Sequence, residues 1–157
     1  MIERKEKTRR QNIEQERGKQ AWDDILEIKA LGDKEQKEYR SLARGLNAMI
    51  QINGLGQTLG FLKAKAKNTK GQGNAHSYLL GHLTHWMHSH FDQTIKDASI
   101  SENDGLLRWV TNIASSADYR RATTECLAFG TWLRRFSEGE LKDPEEEEGK
   151  QTQGGAS

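Results

Sequence analysis

The chain has 157 residues, with 24 Lys and Arg against 23 Asp and Glu, and the resulting net charge of +1 taken alone argues against a nucleic-acid binder. The distribution reverses that argument: residues 1–70 carry 16 basic and 10 acidic side chains, residues 71–137 six of each, and residues 138–157 two against seven. A basic body is cancelled by an acidic end, while a single Val, a single Pro and no apolar run near the ~20 residues of a membrane span leave an all-α, soluble chain as the expectation.

Residues 1–31 read as one long helix whose apolar positions, Ile13, Ala21, Trp22, Ile25 and Ile28, recur at helical spacing only in its second half. Its basic start has no apolar stretch behind it and is not a secretion signal. Gly32 supplies a stop, and Asp33 with Gln36 three residues on reads as a capping box for a second helix. That helix carries an apolar stripe of Tyr39, Leu42, Ala43, Leu46, Met49 and Ile50 and ends at Asn53-Gly54. A third runs from about Leu55 to Lys67, with Leu55, Leu59, Leu62 and Ala66 on one face. Residues 68–75 are a loop, and a fourth helix over about 76–91 turns Leu79, Leu83, Trp86 and Met87 inward. Residues 92–103 read as polar loop, followed by a short helix with Leu106, Leu107, Trp109, Val110 and Ile113. The last helix, about 119–137, is capped by Asp118 or a Ser just before it and buries Tyr119, Ala122, Cys126, Phe129, Leu133 and Phe136. The expected architecture is therefore a compact all-α bundle of about six helices, one domain over 1–141, with a disordered acidic tail over 142–157.

Three basic stripes stand out when the helices are laid at 100° per residue. Lys37, Arg40 and Arg44 share the outer face of the second helix, continued by Asn47 and Gln51. Lys63, Lys65, Lys67 and Lys70 cluster at the end of the third, where cations also favour the helix dipole. Arg120, Arg121, Arg134 and Arg135 lie away from the apolar face of the last. Any one stripe alone reads as a solvated face. Together, with few acids spaced to pair with them, they point to a polyanion gripped through its backbone.

Other chemistry finds little support. All five histidines fall within 76–90, and His85, His88 and Asp92 share a polar face, but the helix ends near Asp92 and no Cys or second carboxylate stands beside them. His85 and His88 read as exposed imidazoles and not as a metal site, and His76 and His90 as boundary residues toward the apolar side. Neither a phosphate loop with its Lys, nor a Ser-centred elbow, nor a strand preceding the glycines of 53–60 is present, so no catalytic residue, cofactor or metal is expected. Cys126 lies on an apolar face and is inert packing; as the lone cysteine it excludes an internal disulfide and suits a reducing cytoplasm. The tryptophans read as core, with Trp132 at the flank as the one candidate for exposure to a partner. The Glu run at 145–148 is most simply a solvated tail; a second reading has it compete with nucleic acid for the basic body.

EYRSLARGLNAMIQINGLGQTLGFLKAK (38–65), HSYLLGHLTHWM (76–87) and YRRATTECLAFGTWLRRFSEGEL (119–141) resemble the small subunit of the Cmr complex, the type III-B CRISPR RNA-guided effector. The family usually has Pro where Asn47 stands, Ala where Gly60 stands and a larger apolar residue where Gly130 stands. The resemblance implies a helical protein that is not an enzyme. It would stack with copies of itself beside the backbone subunits, along the channel holding the guide RNA–target RNA duplex. On that view Lys37, Arg40, Arg44, Arg120, Arg121, Arg134 and Arg135 are candidates for contact with the RNA backbone, and Lys63, Lys65, Lys67 and Lys70 form a third group. An alternative is a purely structural spacer whose basic stripes meet neighbouring proteins.

Overall fold

The computed structural model describes residues 8–69, 71–101 and 103–145. Among the described residues seven helices follow one another, α1 (Arg9–Lys29), α2 (Asp33–Asn53), α3 (Leu55–Lys65), α4 (Ala75–His90), α5 (Thr94–Asp97), α6 (Gly105–Asn112) and α7 (Ser116–Glu140). Between α3 and α4 a short antiparallel hairpin pairs β1 (Asn68–Thr69) with β2 (Gln72–Gly73). The all-α bundle expected from the sequence is the observed one, with α5 added inside what reads as polar loop.

Local chemistry sets the boundaries. Thr8 caps α1, accepting from the Gln11 amide while the Gln11 side chain accepts from the Thr8 amide. The first seven residues of the expected 1–31 helix lie outside the described residues. The capping box expected at Asp33 does not form: Gly32 is the N-cap, without a side-chain bond, and Asp33 is the first helical residue. Gln36 is instead buried, its amide nitrogen donating to Lys29 O and Leu31 O, which staples the α1–α2 turn. Gly54, at φ +88°, is the single residue between α2 and α3, in the left-handed region that a side chain disfavours. Asn74 caps α4 and Ser115 caps α7.

α7 runs between α1 and α2, parallel to α1 (Arg17 to Glu125, Lys29 to Glu140) and antiparallel to α2 (Arg40 to Leu141, Asn47 to Leu127). α4 lies behind these three, and α3 with α6 closes one end. Ile25, Ile28, Tyr39, Leu46, Ile50, Leu83, Trp86, Phe129 and Leu133 are among the side chains that form one continuous buried core. Of the tryptophans, Trp86 and Trp109 are buried, whereas Trp22 is 39% exposed. Trp132 is half-buried, packed on Gly18 and Phe136, so Trp22 and not Trp132 is the most accessible of the described indoles.

Candidate nucleic-acid interface

The second-helix and last-helix stripes come together into one face. Asn47 sits between them, its amide nitrogen donating to Leu127 O and to Thr131 Oγ1, both at 3.1 Å. On either side of this bridge α2 presents Lys37, Arg40, Arg44 and Gln51, and α7 presents the exposed Arg120 and Arg134, while Arg135, also exposed, lines a groove on the α1 side with Glu14 and Trp132. Arg120 and Arg134 are 14 residues apart, about 21 Å along the helix, so the face is long enough to follow a backbone through several phosphates. Arg121 leans to the α1 edge of α7, with its guanidinium 5.7 Å from the centre of the Phe91 ring.

The lysines of the third stripe do not join this face. Lys65 and Lys67 line a shallow groove with Lys34, Glu35, Glu38 and the hairpin, and Glu38 lies about 160° around α2 from Arg40. Lys63 donates to Ser101 Oγ at 3.2 Å. Lys70 lies outside the described residues.

Arg40, Arg44, Arg121 and Arg134 have acidic partners, and of these partners only Glu138 stands four residues on along the same helix. Arg121 pairs with Asp118 at 2.8 Å and Arg134 with Glu138 at 3.1 Å, both within α7. Arg40, nearly buried, donates to Leu141 O at 3.1 Å and stands 3.4 Å from Asp143; Arg44 stands 3.6 Å from Glu145. The last two acids belong to the segment expected to be disordered, and their approach is set by tertiary packing that sequence spacing along a helix does not reveal. Among the described residues, Arg120 and Arg135 make no ion pair.

A second cluster, absent from the sequence reading, lies behind this face. His82 is buried on α4, with Nδ1 2.8 Å from the Tyr39 hydroxyl and Nε2 3.1 Å from Glu27. A proton on Nε2 meets the carboxylate and leaves Nδ1 to accept from Tyr39. Burial holds the Asp24 carboxyl above its ordinary value, and its Oδ2 is buried without a partner. The hydrogen bond from His82 holds Glu27 below its ordinary value. His85 lines the same groove as Asp24, Glu27 and His82, whereas His76 packs edge-on against Phe61 and His90 stacks on Trp86 at 3.9 Å. Among the described residues no group of three His, Cys, Asp or Glu is placed to hold a metal, and no helix is long and apolar enough to cross a membrane. Cys126 is fully buried, and burial pushes its thiol well above the ordinary range, as inert packing requires.

Comparison with known proteins places this architecture. The family model described as CRISPR-associated protein (Cas_Cmr5) matches residues 13–140, from the second turn of α1 to the last residue of α7. The crystal structure of a CRISPR-associated Cmr5 family protein from Thermus thermophilus superposes with a TM-score of 0.61 at 22% identity, covering 80% of this chain and 97% of that one. At that identity the superposition speaks for the fold. Leu141 to Glu145, which carry two of the acids on α2, lie beyond the family match.

Proposed function

The chain belongs to the Cas_Cmr5 family of CRISPR-associated proteins and is a small subunit of the Cmr (type III-B) complex, and on that premise we propose that it is a non-catalytic subunit that holds RNA through the α2–α7 face. The single observation that carries this reading is the merging of two basic stripes, distant in sequence, across the Asn47 bridge. Arginines on rigid helices neutralise phosphates without reading bases, so affinity falls with salt and depends little on sequence. Each chain contributes few such contacts, which suits several copies stacked along a guide–target RNA duplex, where individually weak contacts multiply.

The test is to cross-link guide and target RNA to the assembled complex and map the modified peptides. Cross-links within 37–51 and 120–135 support the reading. Cross-links on other subunits alone replace it with the spacer, in which the same face meets neighbouring proteins. That second reading has its own support, because Arg40, Arg44, Arg121 and Arg134 already have acidic partners within the chain.

A further inference from the structure

Four acids in succession, two in the last turn of α7 and two beyond it, each meet a different cation. Glu138 pairs with Arg134 on α7, Glu140 with Lys29 on α1, Asp143 with Arg40 on α2 and Glu145 with Arg44 on α2. The last two belong to a segment that the fold fixes at its root. Leu141 is 5% exposed, and its carbonyl accepts from Arg40. The amide of Lys142 donates to the buried Gln36 side chain. At Leu141 the chain leaves the helix in an extended conformation and doubles back. α7 runs antiparallel to α2, yet the segment meets Arg40 first and Arg44 second, so it travels along α2 toward Asn47, into the middle of the basic face. Glu146, Glu147 and Glu148 follow in sequence.

We infer that residues 141–145 are an acidic strap that occupies the polyanion-binding face of α2 and must be displaced before RNA backbone can bind there. The inference rests on the proposed RNA contact and adds its regulation. Tethering two and four residues from a buried anchor gives the carboxylates of Asp143 and Glu145 a high effective concentration at Arg40 and Arg44. The ion pairs themselves are partly exposed and individually weak, so a polyphosphate contacting several arginines at once outcompetes them. The strap thus screens the free subunit from incidental RNA without blocking the cumulative grip of an assembled filament.

The experiment titrates a fluorescently labelled single-stranded RNA with the full chain and with its Asp143→Asn/Glu145→Gln variant, which keeps Leu141 and its hydrogen bond, over a series of salt concentrations. Both chains are also titrated carrying Arg40→Gln/Arg44→Gln. The strap predicts that neutralising the two acids tightens binding about fivefold at low salt. It also predicts that the log–log salt slope steepens by about 1.4, as two more phosphates are neutralised on a single strand. Both gains must vanish when Arg40 and Arg44 are absent. Equal binding by the parent and the neutralised variant overturns the strap and leaves the RNA reading standing. A gain that persists without the two arginines also overturns it, because the tail then acts only through net charge. Absence of binding by every chain at low salt overturns the strap, and the RNA reading then stands or falls on the cross-links mapped in the assembled complex.

Discussion

The Asn47 side chain occupies the space beside Gly130 that a Cβ at position 130 would need, with Leu46 Cδ2 3.3 Å from the same point. The structure makes these two residues, 83 positions apart in the chain, one contact. Asn47 is held there by its bonds to Leu127 and Thr131 and cannot move aside without losing them. Gly130→Ala therefore forgoes the gain of up to about 1 kcal/mol that helix propensity offers and costs about 1–2 kcal/mol through overpacking. In an Asn47→Ala background the same change is tolerated. A double-mutant cycle by urea unfolding measures this coupling, and a Gly130→Ala chain more stable than its parent would refute it.

Gly45 and Gly60 are the opposite case. Each is interior to a helix, and a Cβ at either meets nothing within 4 Å. Gly45→Ala and Gly60→Ala should each stabilise the chain by about 0.5–1 kcal/mol, raising Tm by about 1–4 °C in calorimetry.

The helices were legible where apolar residues recur at helical spacing, as in Tyr39, Ala43, Leu46 and Ile50 on α2 or Leu79, Leu83 and Trp86 on α4. The hairpin was not, because β1 and β2 are two residues each, polar and without alternation, joined through Gly71 at φ +79°. α5 has only Ile95 to bury, too little for a periodic signal. Basic residues could be placed on faces, but not their partners: Asp143 and Glu145 reach α2 because Leu141 is buried. His82 is read from sequence as one of five similar residues. Its position three after Leu79 and four before Trp86, on the buried side, was the one available sign of its different role.

Glu125 ties α1, α4 and α7 together. It accepts from Arg17 Nε and Nη2 at 2.8 and 2.7 Å and from Trp86 Nε1 at 2.9 Å. Burial pushes its carboxyl up, but these bonds outweigh burial and hold it below the ordinary value. A depressed carboxylate contributes stability above the unfolded value, about 4.3, and loses it as pH falls through the native value. Glu125→Gln should lose about 1–3 kcal/mol at pH 7, with a smaller difference from the parent as the solution is acidified. Denaturant midpoints across pH 3–7 measure this, and a pH-independent difference would contradict it.

Asp24 carries the opposite sign. Burial raises its carboxyl, so the native state favours the protonated acid; that preference supports folding below the unfolded value and is lost as pH rises through the native one. Asp24→Asn keeps the acceptor for Gln20, which donates at 2.9 Å, and removes a buried charge whose second oxygen has no partner. The variant should be about 1–3 kcal/mol more stable than the parent at pH 7, the advantage shrinking as the parent's acid becomes protonated. Chemical denaturation at pH 7 and pH 4 tests this, and a less stable variant at pH 7 would show that the charge is needed by His82.

Arg120 and Arg134 separate RNA contact from folding better than Arg40 does. Arg40 is nearly buried and anchors Leu141, so reversing its charge would disturb the packing of the last residues as well as any RNA contact. Arg120 and Arg134 are exposed, and only Arg134 has an acidic partner, Glu138. Arg120→Gln/Arg134→Gln should leave the circular dichroism spectrum and melting temperature nearly unchanged, since exposed ion pairs contribute at most about 1 kcal/mol. RNA affinity of the assembled complex should fall by about threefold to tenfold at low salt, for all sequences alike. Its log–log salt slope should become shallower by about 1–2, as two phosphate contacts are lost. Unchanged affinity and slope would remove α7 from the RNA face, and a loss confined to particular sequences would mean that these arginines read bases.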